Sequence, residues 1–229
     1  MIYVLSGGTS LYAVIAVTYP SGSICTCGGK RAKDTSGYAL FNVKPGTYTV
    51  ECHTSDGKKS KSTSVTVAES DKGKCKSVKL SYETYYYNKG DKCTSVTGGW
   101  SKTGTGGSLT FNTASMTLVA NSYQNATDAS TTNKVSLTNI KTLYFSVKSA
   151  TTYGTQGYPR IGVATTNNPD SNDSSQWSAS KTLNASSSFT TVSIDVSSLT
   201  GSYYIVAGGR NGDSGSATIE IQAIWGEEQ

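Results

Sequence analysis

The sequence predicts an all-β protein: a small Ig-like β-sandwich followed by a second, larger antiparallel sandwich. Three observations carry this. Apolar and polar residues alternate at period two in one segment after another, the spacing of half-buried strands. Clusters of Gly, Pro, Asn and Asp punctuate those segments as turns do. No stretch of the 229 residues holds a convincing helical apolar period. A change of composition across Ser81–Trp100 then divides the chain. Before it the sequence is Lys-rich and holds four of the five cysteines; after it Ser, Thr and Asn dominate and charges are few. The domains are read as 1–82 and 83–229.

The first module opens with a strand over Tyr12–Tyr19, stopped by Pro20-Ser-Gly22. Ser23–Thr26 is a second short strand before Gly28-Gly29, and Lys33–Gly37 is a turn. Tyr38–Val43 is a strand ended by Lys44-Pro-Gly46. Thr47–Cys52 alternates with Tyr48, Val50 and Cys52 on one face, and Ser55-Asp-Gly57 is a tight hairpin signal. Ser62–Ala68 carries Val65 and Val67 inward, and Ser77–Tyr82 carries Val78, Leu80 and Tyr82. About seven short strands at this spacing fit a small Ig-like sandwich.

The second module has longer strands. Met116, Leu118 and Ala120 alternate, as do Leu143, Phe145 and Val147 within Ile140–Val147. Ile161 and Val163 follow Tyr158-Pro-Arg160. Val192, Ile194 and Val196 alternate, and Tyr203–Ala207 is mostly apolar. Ile219, Ile221, Ala223 and Trp225 are expected on one face of the last strand. Asn121–Asn133, Thr151–Gly157, Thr165–Leu183 and Gly208–Ser216 read as long polar loops, where function commonly sits on a β-scaffold. In the seam, Gly98 and Gly99 permit a sharp bend and Trp100 is expected to pack over the start of the second module.

Charge is uneven. Through Ser81 there are 11 Lys/Arg against 5 Asp/Glu, a net of +6; from Tyr82 onward 9 stand against 10, a net of −1. Lys58, Lys59, Lys61, Lys72, Lys74, Lys76 and Lys79 read as solvated strand faces and edge protection, since no aromatic-and-Arg pattern of nucleic-acid binders accompanies them. Leu11–Val17 is apolar, but the first basic residue is Lys30, and the run is too short to span a bilayer. It reads as a buried strand, with synthesis in a cytoplasm, no classical export signal and no membrane span. Cys25, Cys27, Cys52, Cys75 and Cys93 make an odd set, and His53 is the single histidine, so buried reduced thiols are expected over a disulfide framework or zinc.

Several stretches resemble known families. Tyr12-Ala-Val-Ile-Ala-Val-Thr-Tyr-Pro20, Cys25-Thr-Cys27, Ala32–Gly37 and Phe41-Asn-Val-Lys-Pro-Gly-Thr-Tyr-Thr-Val50 resemble a carboxypeptidase-regulatory-like (PEGA-like) sandwich. The form with Cys-Thr-Cys is similar to modules in tail-associated proteins of phages and prophages of gut Firmicutes. Tyr87-Asn-Lys-Gly-Asp-Lys-Cys93 and Thr97-Gly-Gly-Trp100 are similar to the junction in the same proteins. Val135–Phe145, Val192–Ile205 and Ile219–Trp225 resemble galactose-binding-like jelly rolls and carbohydrate-binding modules. These resemblances imply a non-enzymatic virion protein of a tail, baseplate or fibre, assembled in the bacterial host cytoplasm among other virion proteins. They also imply a module for host-surface glycans. Alternatives are a capsid or tail decoration protein without a glycan ligand, and a bacterial surface adhesin. Weak contacts multiplied by copy number would make such a protein a homo-oligomer or multi-copy component.

Chemistry narrows the site. A nucleophilic hydrolase needs a base beside its nucleophile, and His53 reads as an ordinary hairpin residue. Glycosidases need two carboxylates facing across a cleft; Asp195 sits on a strand and Asp170, Asp173 and Asp213 in loops, without an aromatic-rich motif around any pair. Thr103-Gly-Thr-Gly-Gly-Ser108 lacks the lysine and helix of a phosphate loop. No catalytic residue and no cofactor is therefore assigned. Asn167–Asp173 and Asn211-Gly-Asp213 offer hard oxygens to a structural calcium. For glycans, the candidates are loop aromatics with planar polar neighbours: Trp177, Tyr153, Tyr158, Arg160, Arg210, Asn211 and Asp213. Trp100 and Trp225 read as packing residues.

Overall fold

The computed structural model describes residues 11–57, 59–89, 96–120, 127–151, 159–210 and 216–228. The chain separates into two compact units, Met1–Tyr82 and Glu83–Gln229. Both are all-β.

The first unit contains β1 (Ala13–Thr18), β2 (Ile24–Cys27), β3 (Lys30–Arg31), β4 (Tyr38–Val43), β5 (Gly46–His53), β6 (Ser60–Val67) and β7 (Cys75–Lys79). They form two sheets, ordered β4-β1-β7 and β3-β2-β5-β6. The first and last strands, β1 and β7, run parallel; the other pairs are antiparallel. Alternation places Ile15, Val17, Phe41, Val43, Val50 and Val67 between the sheets, with Leu80 and Tyr82 closing the core. Tyr82 donates its hydroxyl hydrogen to Ser23 Oγ at 2.9 Å, which satisfies two buried polar groups at once.

Three thiols belong to this core. Cys25 and Cys27 share a face of β2, and Cys25 is directly opposite Cys52 on β5. All three are buried, whereas Cys75 is exposed. Burial, then the neighbouring Cys52 and Cys27, pushes the Cys25 thiol up to about 11. Burial raises Cys27 and Cys52 as well. Thiols so placed act as small apolar side chains and are poor nucleophiles. Cys93 lies outside the described residues. At the end of β5, His53 Nδ1 donates to the Thr54 carbonyl at 2.9 Å, a local turn contact.

The second unit contains β8 (Glu83–Asn88), β9 (Trp100–Thr103), β10 (Ser108–Phe111), β11 (Met116–Ala120), β12 (Thr127–Thr131), β13 (Val135–Ser136), β14 (Ile140–Thr151), β15 (Arg160–Ala164), β16 (Ala179–Thr182), β17 (Ser186–Asp195), β18 (Ser202–Gly209) and β19 (Ala217–Glu228). One sheet runs β10-β11-β19-β14-β17, with β8 beside the second half of β19. The other runs β16-β15-β18-β12-β9, with β13 beside the start of β18. Taken in chain order from β11 to β19 and leaving out the two-residue β13, eight strands divide into the orders β11-β19-β14-β17 and β12-β18-β15-β16. That is the double Greek key of a jelly roll. Between the sheets pack Met116, Leu118, Leu143, Phe145, Ile161, Val163, Ile194, Ile205, Ile219 and Ile221, the residues whose alternation marks the strands.

The structure departs from the sequence expectations at several places, among them the end of the expected Thr165–Leu183 loop, where Ala179–Thr182 form the edge strand β16. The seam is part of the second unit: β8 is a strand of its first sheet, and Tyr86, Tyr87, Val96 and Trp100 are buried in its core, Trp100 packing there as its sequence position suggests. Trp100 Nε1 donates to the Tyr86 carbonyl at 2.9 Å, and its ring meets Tyr87 edge-on. The turn before it has Gly98 and Gly99 at φ of 82° and 69°, a backbone that favours glycine. The stretch Asn121–Asn133 also includes a strand, β12, with all five residues buried. Its sequence Thr-Asp-Ala-Ser-Thr shows no apolar alternation because only Ala129 enters the core. Trp225, too, is displaced: it is on the opposite face from Ile219 and Ile221. Ser146 pairs with Ala223 and Val147 with Ile221, so Gln222 is an extra residue in β19. The bulge shifts the alternation by one, turning Ile224 inward and Trp225 outward.

Candidate functional site

Two faces of the jelly roll are candidates, and they differ in what covers them. On the outer face of the β15–β18–β12 sheet, strand register aligns Arg160, Gly208, Asp128 and Thr103 in one row. The segment 165–178 is laid over this row and fastened along its length. Thr103 Oγ1 donates to the Asn167 carbonyl at 2.8 Å. Arg160 donates through Nε to the Ser171 carbonyl at 2.8 Å and through Nη1 to Ser180 Oγ at 2.9 Å. Arg210 Nη1 pairs with Asp170 Oδ2 at 3.1 Å.

Trp177 closes the cover. Its ring packs on Ala164, Val206 and Tyr204, and its Nε1 donates to the Asp170 carbonyl at 2.9 Å. Only 7% of the residue remains exposed, so neither ring face is open to a sugar in this arrangement. Gly208 makes the close approach possible: a Cβ there would collide with Asp128 Oδ1 and stand 3.4 Å from the Trp177 ring. The structure therefore brings Trp177, Arg160 and Arg210 into one patch and commits all three to holding the segment. Tyr153, Tyr158, Asn211 and Asp213 lie outside the described residues.

Beneath the cover is a residue that sequence reasoning missed. Asp128 is fully buried, and neither carboxylate oxygen has a hydrogen-bond partner. Burial, reinforced by the charge of Asp170, pushes its carboxyl up to about 8. An acid held neutral beside a second carboxylate is the electrostatic pattern of a general acid–base pair. Asp128, however, has no path to a substrate under the segment. The other acids are engaged locally. Asp173 Oδ1 accepts from the Ser175 amide and hydroxyl, Asp170 Oδ1 from the Asn172 amide, and Asp195 Oδ1 from the Ser197 amide and hydroxyl. Among the described residues no group of three or more His, Cys, Asp or Glu side chains could hold a metal ion.

The outer face of the other sheet carries a different arrangement. Tyr85 on β8, Trp225 on β19 and Tyr144 on β14 are direct cross-strand neighbours. Tyr144 and Trp225 have ring centroids 5.3 Å apart at 12°, and Tyr85 and Trp225 6.1 Å apart at 29°. With ring planes a van der Waals contact of ~3.5 Å apart, the lateral offsets are roughly 4 and 5 Å. The rings are therefore offset along the row and do not fully eclipse one another. Tyr85 is 38% exposed, and Trp225 and Tyr144 are partly exposed.

Polar groups continue from the strip. The Tyr144 hydroxyl donates to Glu227 Oε2 at 2.9 Å, Ser146 Oγ donates to Gln222 Oε1 at 3.3 Å, and Lys148 pairs with Glu220 at 2.8 Å. The one sequence signal for the strip is the run Tyr85–Tyr87 in the seam, whose central and last members turned out to be core.

No family model matches the chain, and no curated protein does. Several solved carbohydrate-binding proteins superpose weakly. A mutant of a carbohydrate-binding module of family 29 has 12% identity over 65% of this chain and 92% of that one, with a TM-score of 0.42. A structure described by the promiscuous specificity of carbohydrate-binding modules of the β-sandwich superfamily has 16% identity over 96% and 86%, with a TM-score of 0.43. The carbohydrate recognition domain of Emp47p has 14% identity over 56% and 88%, with a TM-score of 0.38. Superpositions this loose carry no weight for function, and the jelly roll stands on its own strand order.

Proposed function

We propose that the second unit is a non-catalytic glycan-binding module and that its binding surface is the strip Tyr85–Trp225–Tyr144. The observation that carries this is the strip itself. Three offset aromatic rings on an open sheet face, edged by planar polar groups, offer sugar C–H faces a stacking surface and sugar hydroxyls their hydrogen-bond partners. The buried, fastened state of Trp177 favours this face over the one that the loop aromatics suggest. The full chain, displayed at high valency on a glycan array, should bind a defined set of glycans. Trp225→Ala and Tyr85→Ala should each weaken that binding while the fold persists. Absence of any glycan signal, or binding unchanged in Trp225→Ala, would overturn the reading.

The wider setting is also a proposal: a component of a phage or prophage particle, in a tail, baseplate or fibre, with the jelly roll facing the host surface. The seam motif and the Cys25-Thr-Cys27 sandwich support it by resemblance. Copies arrayed on a particle would turn millimolar single contacts into firm attachment. Mass spectrometry of purified particles tests this; a chain absent from them is not a virion protein. A chain that is present but binds no glycan would fit a decoration role.

A further inference from the structure

The edge of the jelly roll holds a cleft that the aromatic strip does not use. Strands β14 and β17 pair Val147 with Thr190 and Ser149 with Ser186. Opposite the single residue Lys148, β17 therefore carries Ser187, Ser188 and Phe189. The strand bows outward, and a cleft of about 380 Å³ opens between β14, β17 and the turn that follows β16. Its floor is apolar, formed by Val147, Val192 and Leu183.

Two wall hydroxyls already spend their hydrogens within the fold. Ser149 Oγ donates to the Asn184 carbonyl at 2.8 Å and Thr190 Oγ1 donates to the Val147 carbonyl at 3.3 Å. Both hydroxyl hydrogens are committed, so each oxygen is left with acceptor capacity only. The rim is basic. Lys181 pairs in register with the core residue Ile161, so its side chain is on the inner side of an edge strand, and it is exposed. Lys148 lines the cleft with its stem, but its ammonium is on the outer face of the sheet, held between Glu220 and the Phe189 ring at 4.9 Å. An inward lysine on an edge strand also discourages strand addition, but that role does not call for a cleft beneath it.

We propose that this cleft binds a single anionic sugar residue, with the ring over the Val147–Val192–Leu183 floor, ring hydroxyls donating to Ser149 and Thr190, and the anion on Lys181. The volume sets the size: ligand pockets run from roughly 300 to 1,000 Å³, and this one is at the small end, fitting one ring and not a chain. The rim sets the charge. Lys148 is already neutralised by Glu220, which leaves Lys181 to meet a carboxylate or a phosphate. The site is separate from the aromatic strip, and either can fail without the other.

The test is an amide-resolved NMR titration of the full chain with glucuronate, glucose 6-phosphate, glucose and inorganic phosphate. Glucuronate, glucose 6-phosphate or both should shift the amides of Ser149, Asn184 and Thr190, and which of them does so identifies the anion. Lys181→Gln should weaken that binding roughly three- to fivefold, the range of one exposed ion pair, with the rest of the spectrum unchanged. Val192→Phe, which fills the floor, should abolish it. Glucose binding as well as glucuronate, inorganic phosphate shifting the same amides as strongly as the sugar phosphate, or no shift with any ligand would each overturn the proposal.

Discussion

Replacing Asp128 with asparagine should make the jelly roll more stable, and by an amount that grows with pH. The unfolded chain ionises Asp128 near pH ~3.9; in the fold the same carboxyl is pushed up to about 8. Between those values the folded state holds the extra proton, so unfolding stability falls as pH rises. Below pH ~4 both states are protonated and the full stability is present; above pH ~8 both are ionised and the loss is complete. At about 1.4 kcal/mol per unit the shift sets a ceiling of roughly 5–6 kcal/mol. Water entering beside the carboxylate would reduce this to something on the order of 3–5 kcal/mol.

The asparagine side chain has the same shape and no charge to bury, so Asp128→Asn should keep its stability across this window. The gap from wild type should be small at pH 4 and reach about 10 °C in midpoint by pH 8.5. The assay isolates the correct unit, because all three tryptophans, Trp100, Trp177 and Trp225, belong to residues 83–229. Tryptophan emission, excited at the red edge where tyrosine does not absorb, therefore reports the jelly roll alone during urea or thermal unfolding from pH 4 to 9. A gap that does not widen with pH would refute the reasoning. Stabilisation of wild type by calcium at pH 8, lost in Asp128→Asn, would also refute it, since the carboxylate would then be holding a cation and not a proton.

Two further outcomes follow from burial. Trp177→Ala should cost the jelly roll about 3–5 kcal/mol, the range for a buried large aromatic, yet leave glycan binding unchanged at temperatures where the variant is folded; lost binding with unchanged stability would make Trp177 a contact residue. In the native protein iodoacetamide should label Cys75 and spare Cys25, Cys27 and Cys52 until denaturant is added; peptide mapping showing Cys25 alkylated as fast as Cys75 would contradict the packing of the first core.

Most of the strands were legible because they obey one rule. Residues such as Leu143, Phe145 and Val147 face a core, their neighbours face solvent, and the period of two shows directly. The rule failed where a strand is covered on both sides. β12 has one core residue, Ala129, and its outward Asp128 is buried by segment 165–178, so a Thr-Asp-Ala-Ser-Thr run read as loop. It failed again at Gln222, since a bulge is a property of paired strands and leaves no mark on one strand's sequence. That miss hid the strip, because it put Trp225 on the wrong face. The strip also needs Tyr85, Tyr144 and Trp225 to be neighbours across chain separations that only sheet order reveals. The patch of Trp177, Arg160 and Arg210 was found by residue type; its closed state depends on Gly208 and Thr103, whose roles are set by register.

The position of β19 has a consequence for how the protein is made. This strand is at the centre of its sheet, flanked by β11 and β8 on one side and by β14 on the other, and it follows all of them in the chain. A nascent chain can complete the first sandwich once Tyr82 has left the ribosome. The second must keep β8, β11 and β14 waiting without a shared partner until Ala217–Glu228 arrives, several seconds later at ordinary rates of synthesis. Its folding is therefore dominated by long-range pairing, the slow regime for β-proteins. A lesion that removes Ala217–Glu228 would remove the middle of a sheet and not its margin.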